Sequence, residues 1–454
     1  MEKIKLFCVS LGCDKNLVDT EKMLGVAGGL GVSFTDDETE ADAILINTCC
    51  FIGDAKEESV NTILEMARYK EEGKCRALIV AGCLAQRYKQ EIIDEIPEVD
   101  AILGTTSYEE IGNVLTRLFG EEKEKKEEHI SCFHDLKELP ETAKKRVMTT
   151  GGHYAFLKIA EGCDKHCTYC IIPSLRGNYR SVPMERLLKE ANELADQGVR
   201  ELILVAQETT LYGVDLYGKK MLPELLHKLA EIPGIYWIRI QYCYPEEITD
   251  ELIEAIRTEE KVCHYLDVPI QHASDRILKR MGRRTNQAQL REIIGKLRAA
   301  VPDIALRTTM ISGFPGETQE DHEEVMRFVD EMEFERLGVF TYSAEEDTPA
   351  AAFPDQIPEE VKEERRDEIM ELQQEIAFEK SESMVGRVLD VMIEGKVADE
   401  AAYVGRTYMD APNVDGYIFV NSGELFMSGD FVRVKVTGSN DYDLIGEVYD
   451  ESAE

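Results

Sequence analysis

No stretch of this chain approaches the ~20 unbroken apolar residues that a bilayer span needs. Its opening, MEKIKLFCVSLGC, has only a short apolar run and no small-residue cleavage pattern. The expectation is a cytoplasmic protein with no signal peptide and no membrane partner. Positive charge is also scarce: 52 Lys and Arg face 89 Asp and Glu, a net charge of −37. Such a surface repels a phosphate backbone unless a local basic patch overrides it, and it suits a basic partner. It serves solubility equally well. The densest basic run is KRMGRR, Lys279 to Arg284, which could face a carboxylate or simply end a solvated helix. There is no fixed-period repeat.

Cysteine, by contrast, is abundant, with 12 in the chain. A reducing compartment disfavours disulfides, so metal binding or catalysis is the better expectation. At roughly 150 residues per domain, 454 residues suggest about three domains. Residues 1–120 alternate short apolar runs (Ile4 to Val9, Ala43 to Asn47, Ala77 to Ala81, Asp100 to Leu103) with amphipathic stretches, which predicts a doubly wound α/β domain. The charge run EEKEKKEE, Glu121 to Glu128, marks a charged linker over 121–150. Over 151–382 six further strand candidates alternate with helices: Ala155 to Ala160, Glu201 to Ala206, Tyr236 to Gln241, His264 to Pro269, Ile304 to Met310 and Arg336 to Thr341. Six units fall short of a closed (β/α)8 barrel, so an open, partial (β/α)6 barrel is expected. The region 383–454 has short strands punctuated by Gly, Asn and Asp, which reads as a small all-β barrel.

Two sets of cysteines stand out. Cys163, Cys167 and Cys170 form C-x3-C-x2-C directly after the first strand of the central region, where a βα barrel places its chemistry. Three thiolates can hold three irons of a 4Fe-4S cube and leave the fourth open. A structural zinc site would need a fourth ligand, and His166 would have to reach around a tight loop to supply it. Cys13, Cys49 and Cys83 each follow a predicted strand of the first domain, whose C-terminal strand ends gather on one edge. The remaining cysteines read as small buried hydrophobes, with Cys50 open because it adjoins Cys49. A non-enzymatic metalloprotein would be expected to complete four-ligand sets, which neither triad does.

The C-x3-C-x2-C motif with Tyr169 before its last cysteine, followed by MISGFPGET at Met310 to Thr318, resembles the radical S-adenosylmethionine superfamily. Two such triads followed by a small β-barrel resemble the methylthiotransferases over nearly the whole chain. SLGCDKNLVDTE, YAFLKIAEGCDKHCTYCIIPSLRG, ILVAQETTLYG, YLDVPIQHASDRIL and VFTYSAEEDTPAAA are similar to the branch that modifies a ribosomal protein. Asp14 departs from that branch, which usually has proline after its first cysteine.

The resemblance implies two 4Fe-4S clusters and S-adenosyl-L-methionine as cofactors. Cys163, Cys167 and Cys170 would bind the radical-generating cluster, and Cys13, Cys49 and Cys83 the sulfur-donating one. Tyr169, Gln207, Glu208, Gln271, Gly313 and Gly316 are the implied cofactor contacts, although polar residues at strand ends also cap helices. The implied reaction is methylthiolation of an aspartate β-carbon on the twelfth protein of the small ribosomal subunit, with electrons from an external donor. The C-terminal region is then a TRAM barrel. The alternative is a tRNA adenosine near the anticodon. Residues 384–454 hold 14 acidic and 5 basic side chains, which disfavours nucleic acid as direct substrate and favours a basic ribosomal protein. A monomer is the default.

Overall fold

The computed structural model describes residues 4–120, 129–140 and 146–450, so the charge run at 121–128 lies outside the described residues. The chain forms two compact units. One joins the residues up to Thr149 with Ala160–Val182 and Ser343–Ala351; the other comprises Thr150–Ile159, Pro183–Tyr342 and the residues from Ala352 onward.

The first unit is built on a parallel sheet of β1 (Lys5–Ser10), β2 (Ser33–Phe34), β3 (Ala43–Thr48), β4 (Ala77–Gly82), β5 (Ala101–Leu103) and β6 (Ile130–Cys132). The strand order is β2-β1-β3-β4-β5-β6. Every residue of β3 and β4 is buried, as expected of strands covered on both faces. Alternate residues feed two cores: Ile44, Ile46, Leu78 and Val80 on one face, Ala43, Leu45, Ile79 and Ala81 on the other. The winding direction reverses between β1 and β3, which makes their C-terminal ends a topological switch point.

One correction concerns the segment expected to be a linker. Ile130–Cys132 pairs parallel with β5 and completes the sheet. Only Ile130 of its three residues is buried, too short a pattern to reveal a strand. The first domain therefore extends past residue 120. A second difference is that Ala160–Val182 and Ser343–Ala351, assigned to the central region from sequence, are compact with the first unit. The short strands β8 (Ala160–Glu161) and β9 (Arg180–Ser181) pair antiparallel and close the base of the C-x3-C-x2-C loop.

The second unit holds an open parallel sheet of β7 (Tyr154–Lys158), β10 (Glu201–Val205), β11 (Trp237–Ile240), β12 (Val262–Asp267), β13 (Ala305–Ser312) and β14 (Arg336–Thr341). Its order is β14-β13-β12-β11-β10-β7, so all six expected strands are present. The 25-residue helix Glu359–Ser383 leads to five strands that close into a barrel: β15 (Val388–Lys396), β16 (Ala402–Arg406), β17 (Ile418–Asn421), β18 (Phe431–Asn440) and β19 (Asp443–Val448). Barrel residues Val391, Met392 and Val434 share one apolar cluster with Trp237, Cys263, Tyr265 and Ala305. Trp237 and Ala305 open β11 and β13, Cys263 is the second residue of β12, and Tyr265 pairs with Ala305 at the start of β13. The small barrel therefore packs on the N-terminal end of the sheet and leaves the C-terminal edge, where such folds do chemistry, to other elements. Among the described residues no helix is long and apolar enough to cross a membrane.

Two cysteine triads as the candidate active site

Both triads belong to the first unit. Cys13, Cys49 and Cys83 follow the C-terminal ends of the adjacent strands β1, β3 and β4, so the switch point of the sheet brings together residues far apart in sequence. Polar side chains stitch these ends. Asn16 Nδ2 donates to Leu11 O at 3.1 Å and to Thr48 O at 3.0 Å. Asn47 Nδ2 donates to Asn16 O at 2.8 Å, and Thr48 Oγ1 donates to Ala81 O at 2.6 Å. Ser59, fully buried on the helix Gly53–Ala67, clasps Cys49: its Oγ accepts from Cys49 N at 3.0 Å and donates to Cys49 O at 2.8 Å.

The electrostatics fit a bound cationic group. Burial, followed by the neighbouring thiols of Cys83 and Cys13, pushes the Cys49 thiol up to about 12. Burial likewise raises Cys83, and Cys13 adds to it. Cys49 and Cys83, each raised by burial and by a neighbouring thiol, ionise more readily beside a cation, which a metal cluster supplies. Among the described residues, no three or more His, Cys, Asp or Glu are arranged to hold a single metal ion. A four-iron cube spans its thiolates more widely than one ion does.

Gly12 shows how tightly the nest is drawn. Its φ is +83°, and a Cβ there would lie 2.6 Å from Cys49 Cβ and 2.8 Å from Cys49 Sγ. Gly12→Ala is therefore expected to displace Cys49 and to weaken metal binding expected at this triad by about tenfold or more, the lower end of effects seen for residues that orient metal ligands. Iron assay of the reconstituted variant checks it; full iron content would show that the loop relaxes without disturbing the ligands.

The second triad lies on the loop between β8 and β9. Cys163 and Cys167 are buried and Cys170 is half-buried. Cys163 N donates to Gly177 O at 3.1 Å, and Cys163 Sγ accepts from Lys165 N at 3.4 Å. Asp164 fixes the loop by accepting from Tyr179 N at 3.0 Å and Asn178 Nδ2 at 2.9 Å. A thiol already receiving a backbone N–H is suited to remain a thiolate ligand. Tyr169 is half-buried on this loop.

The other expected contacts lie in the second unit. Gln207 and Glu208 follow β10, and the buried Glu208 accepts from Thr210 N at 2.9 Å and from the Thr210 hydroxyl. Gln271 has φ +71° and is bridged to β13: its N donates to Thr309 O and its O accepts from Ile311 N, both at 2.8 Å. Gly313 and Gly316 follow β13, against the stem of Lys362 and the guanidinium of Arg280 respectively.

Sequence reasoning did not single out Asn16, Asn47, Ser59 or Arg176. Arg176 ends the helix Ile172–Arg176, just beyond the second triad, and is 2% exposed. Its Nη2 lies 3.5 Å from Cys83 Sγ and also donates to Asn16 Oδ1. Nη1 contacts Asp19 Oδ2 at 2.8 Å and Glu161 Oε2 at 3.2 Å. Burial opposes its charge, but Cys83, Glu161 and Asp19 hold the guanidinium well above its ordinary value.

Comparison with known proteins then decides the family. The radical SAM superfamily model matches residues 157–329, a TRAM domain model matches 385–448, and the model described as "Uncharacterized protein family UPF0004" matches 5–104. The ribosomal protein uS12 methylthiotransferase RimO of Lachnoclostridium phytofermentans is 65% identical over 443 residues, covering 98% of this chain and 99% of the relative. The chain belongs to the RimO family. The RimO of Acetivibrio thermocellus is 52% identical, with 99% of this chain and 100% of the relative covered. Among solved structures, the radical S-adenosylmethionine methyltransferase TsrM from Kitasatospora setae has a TM-score of 0.53 at 12% identity, covering 75% of each chain. The cobalamin-dependent radical enzyme OxsB has a TM-score of 0.52 at 13% identity, covering 82% of this chain and 56% of its own. These two share only the fold. As a RimO-family member the chain is a radical S-adenosylmethionine methylthiotransferase, which implies a 4Fe-4S cluster and S-adenosylmethionine at the radical core.

Proposed function

We propose that this enzyme methylthiolates the β-carbon of an aspartate on ribosomal protein uS12, using two 4Fe-4S clusters, one on each cysteine triad. The observation that carries this reading is the gathering of Cys13, Cys49 and Cys83 at one switch point, a second three-thiol nest beside the one the superfamily requires. When bound, the two clusters and S-adenosylmethionine supply the carbon-centred radical chemistry and the sulfur that no side chain can provide.

The chain's own residues hold and separate these groups. Cys163, Cys167 and Cys170 would bind the radical-generating cluster, with the N–H of Lys165 on Cys163 Sγ and Asp164 fixing the loop. Cys13, Cys49 and Cys83 would bind the other, oriented by Asn16, Asn47 and Ser59. Each triad leaves one iron without a protein ligand, so cofactor and sulfur have somewhere to attach. Tyr169, Gln207, Glu208, Gln271, Gly313 and Gly316 are the proposed S-adenosylmethionine contacts. An external reductant in the cytoplasm would supply electrons. The 14 acidic residues against 5 basic ones in the TRAM region support a basic protein substrate over a tRNA backbone.

Deleting the gene in its host, then measuring intact masses of the small-subunit proteins together with the tRNA nucleosides, tests this. The expected result is loss of a methylthio-sized increment from uS12 with tRNA unchanged. Loss of a methylthiolated adenosine with uS12 intact would overturn the substrate.

A further inference from the structure

The helix that follows the radical-cluster loop does not stay with that loop. Ile171 and Leu175 pack into the apolar core formed by Ile44 and Val80 of the N-terminal sheet and by Leu84 on the helix that follows β4. Thr105 Oγ1 fixes the helix by donating to Leu175 O at 2.8 Å. Held this way, Arg176 carries a permanent charge into the first triad, six residues after the last ligand of the second.

We propose that Arg176 is a positioning residue that sets the reduction potential of the N-terminal cluster, through a hydrogen bond to Cys83 Sγ and its positive charge. This rests on the reading that Cys13, Cys49 and Cys83 hold a cluster. Potentials of iron–sulfur clusters follow net charge, hydrogen bonds to sulfur and solvent exposure. Arg176 Nη2 is 3.5 Å from Cys83 Sγ, within range of an N–H···S hydrogen bond. The guanidinium cannot deprotonate, and in a buried site its field is screened little. Asp19 and Glu161, 4% and 2% exposed, take up the opposite end of the fork. They hold Arg176 in place and carry the opposite charge, so the two kinds of residue pull the potential in opposite directions.

Opposite signs are what a purely structural role cannot produce. The test uses the full-length chain with Cys163, Cys167 and Cys170 all changed to alanine, so that only the first triad can be loaded. This parent, with Arg176→Gln or Asp19→Asn added, is reconstituted anaerobically. Iron and sulfide are then counted, and the cluster is titrated against potential by EPR. Arg176→Gln is expected to raise the oxidised-to-reduced ratio about tenfold at a fixed solution potential, a downward shift of about 59 mV for one electron. Asp19→Asn is expected to shift the potential upward. Arg176→Lys keeps the charge and loses the fork, so its potential should fall between the parent and Arg176→Gln. If Arg176→Gln does not fold, the Asp19→Asn and Arg176→Lys shifts decide. Loaded clusters that all titrate with the parent, or variants that all shift the same way, would overturn the role of Arg176 alone. A parent that binds no iron would instead overturn the reading that these cysteines hold a cluster, and this inference with it.

Discussion

Glu201→Ala should lower the melting temperature of the second unit by on the order of 10 °C. Glu201 is the first residue of β10 and is fully buried. It accepts from Arg239 Nε at 2.7 Å and Arg406 Nη2 at 2.6 Å, and both arginines are also fully buried. Arg406 Nε continues to Glu394 Oε1 at 2.6 Å, whose other oxygen lies 2.7 Å from His153 Nε2. Arg239 Nη1 donates to Tyr408 O at 2.6 Å. The network thus ties β10 and β11 of the sheet to the small barrel. Removing Glu201 leaves two guanidiniums buried without their shared carboxylate, a loss of about 3–5 kcal/mol for a broken buried pair.

Burial alone would raise the Glu201 carboxyl, but Arg406 and Arg239 outweigh it and hold the group below its ordinary value. A lowered folded pKa stabilises above the unfolded value of about 4.3 and is lost as pH falls through the folded one. The penalty should therefore be complete at pH 7 and shrink below about pH 4. Thermal melts across that range measure it, with the exposed Glu375→Ala as control. A melt at pH 7 equal to the control's would sink the argument. The triple change Glu201→Leu, Arg239→Met and Arg406→Met should recover only part of the loss: it removes the buried Glu201 cluster together, but leaves Glu394 with His153 and without Arg406.

This network shows where sequence reading stops. The strands themselves were legible: Glu201–Val205 and Ala77–Gly82 are unbroken apolar or buried runs between turn residues, and six parallel strands follow from strand–helix alternation. The triads were legible because cysteine spacing and strand ends are local features. Partners distant in sequence were not. Arg176 reads as the end of a short helix, and its target Cys83 is 93 positions away. Arg406 reads as a strand-end cation, yet its carboxylate partner is 205 positions away. Charged side chains carry no periodic signal, so nothing local separates a buried arginine from a solvated one. The strand Ile130–Cys132 was missed because three residues with one buried side chain are too short to show a period.

The Cys49–Cys50 pair is where that limit matters most for chemistry. Cys49→Ala should halve the iron of the reconstituted chain and reduce methylthiolation at least about 10²-fold, whereas Cys50→Ala should keep both and cost about 1 kcal/mol of stability. Adjacent cysteines after a strand point to opposite sides, so only one can face the switch point. Cys49 is the one influenced by both Cys13 and Cys83, abuts Gly12, and has its backbone clasped by Ser59. Cys50 is fully buried in the apolar core with Ile44, Ile63 and Leu84, and burial pushes its thiol far up. To ligate where it stands, Cys50 would have to ionise in that core, a cost Arg87 offsets only in part. Iron and sulfide counts on the two variants, side by side with product mass, separate them. Equal iron loss in both would mean that the loop after β3 rearranges when iron binds, and that Cys49 is not singled out as the ligand.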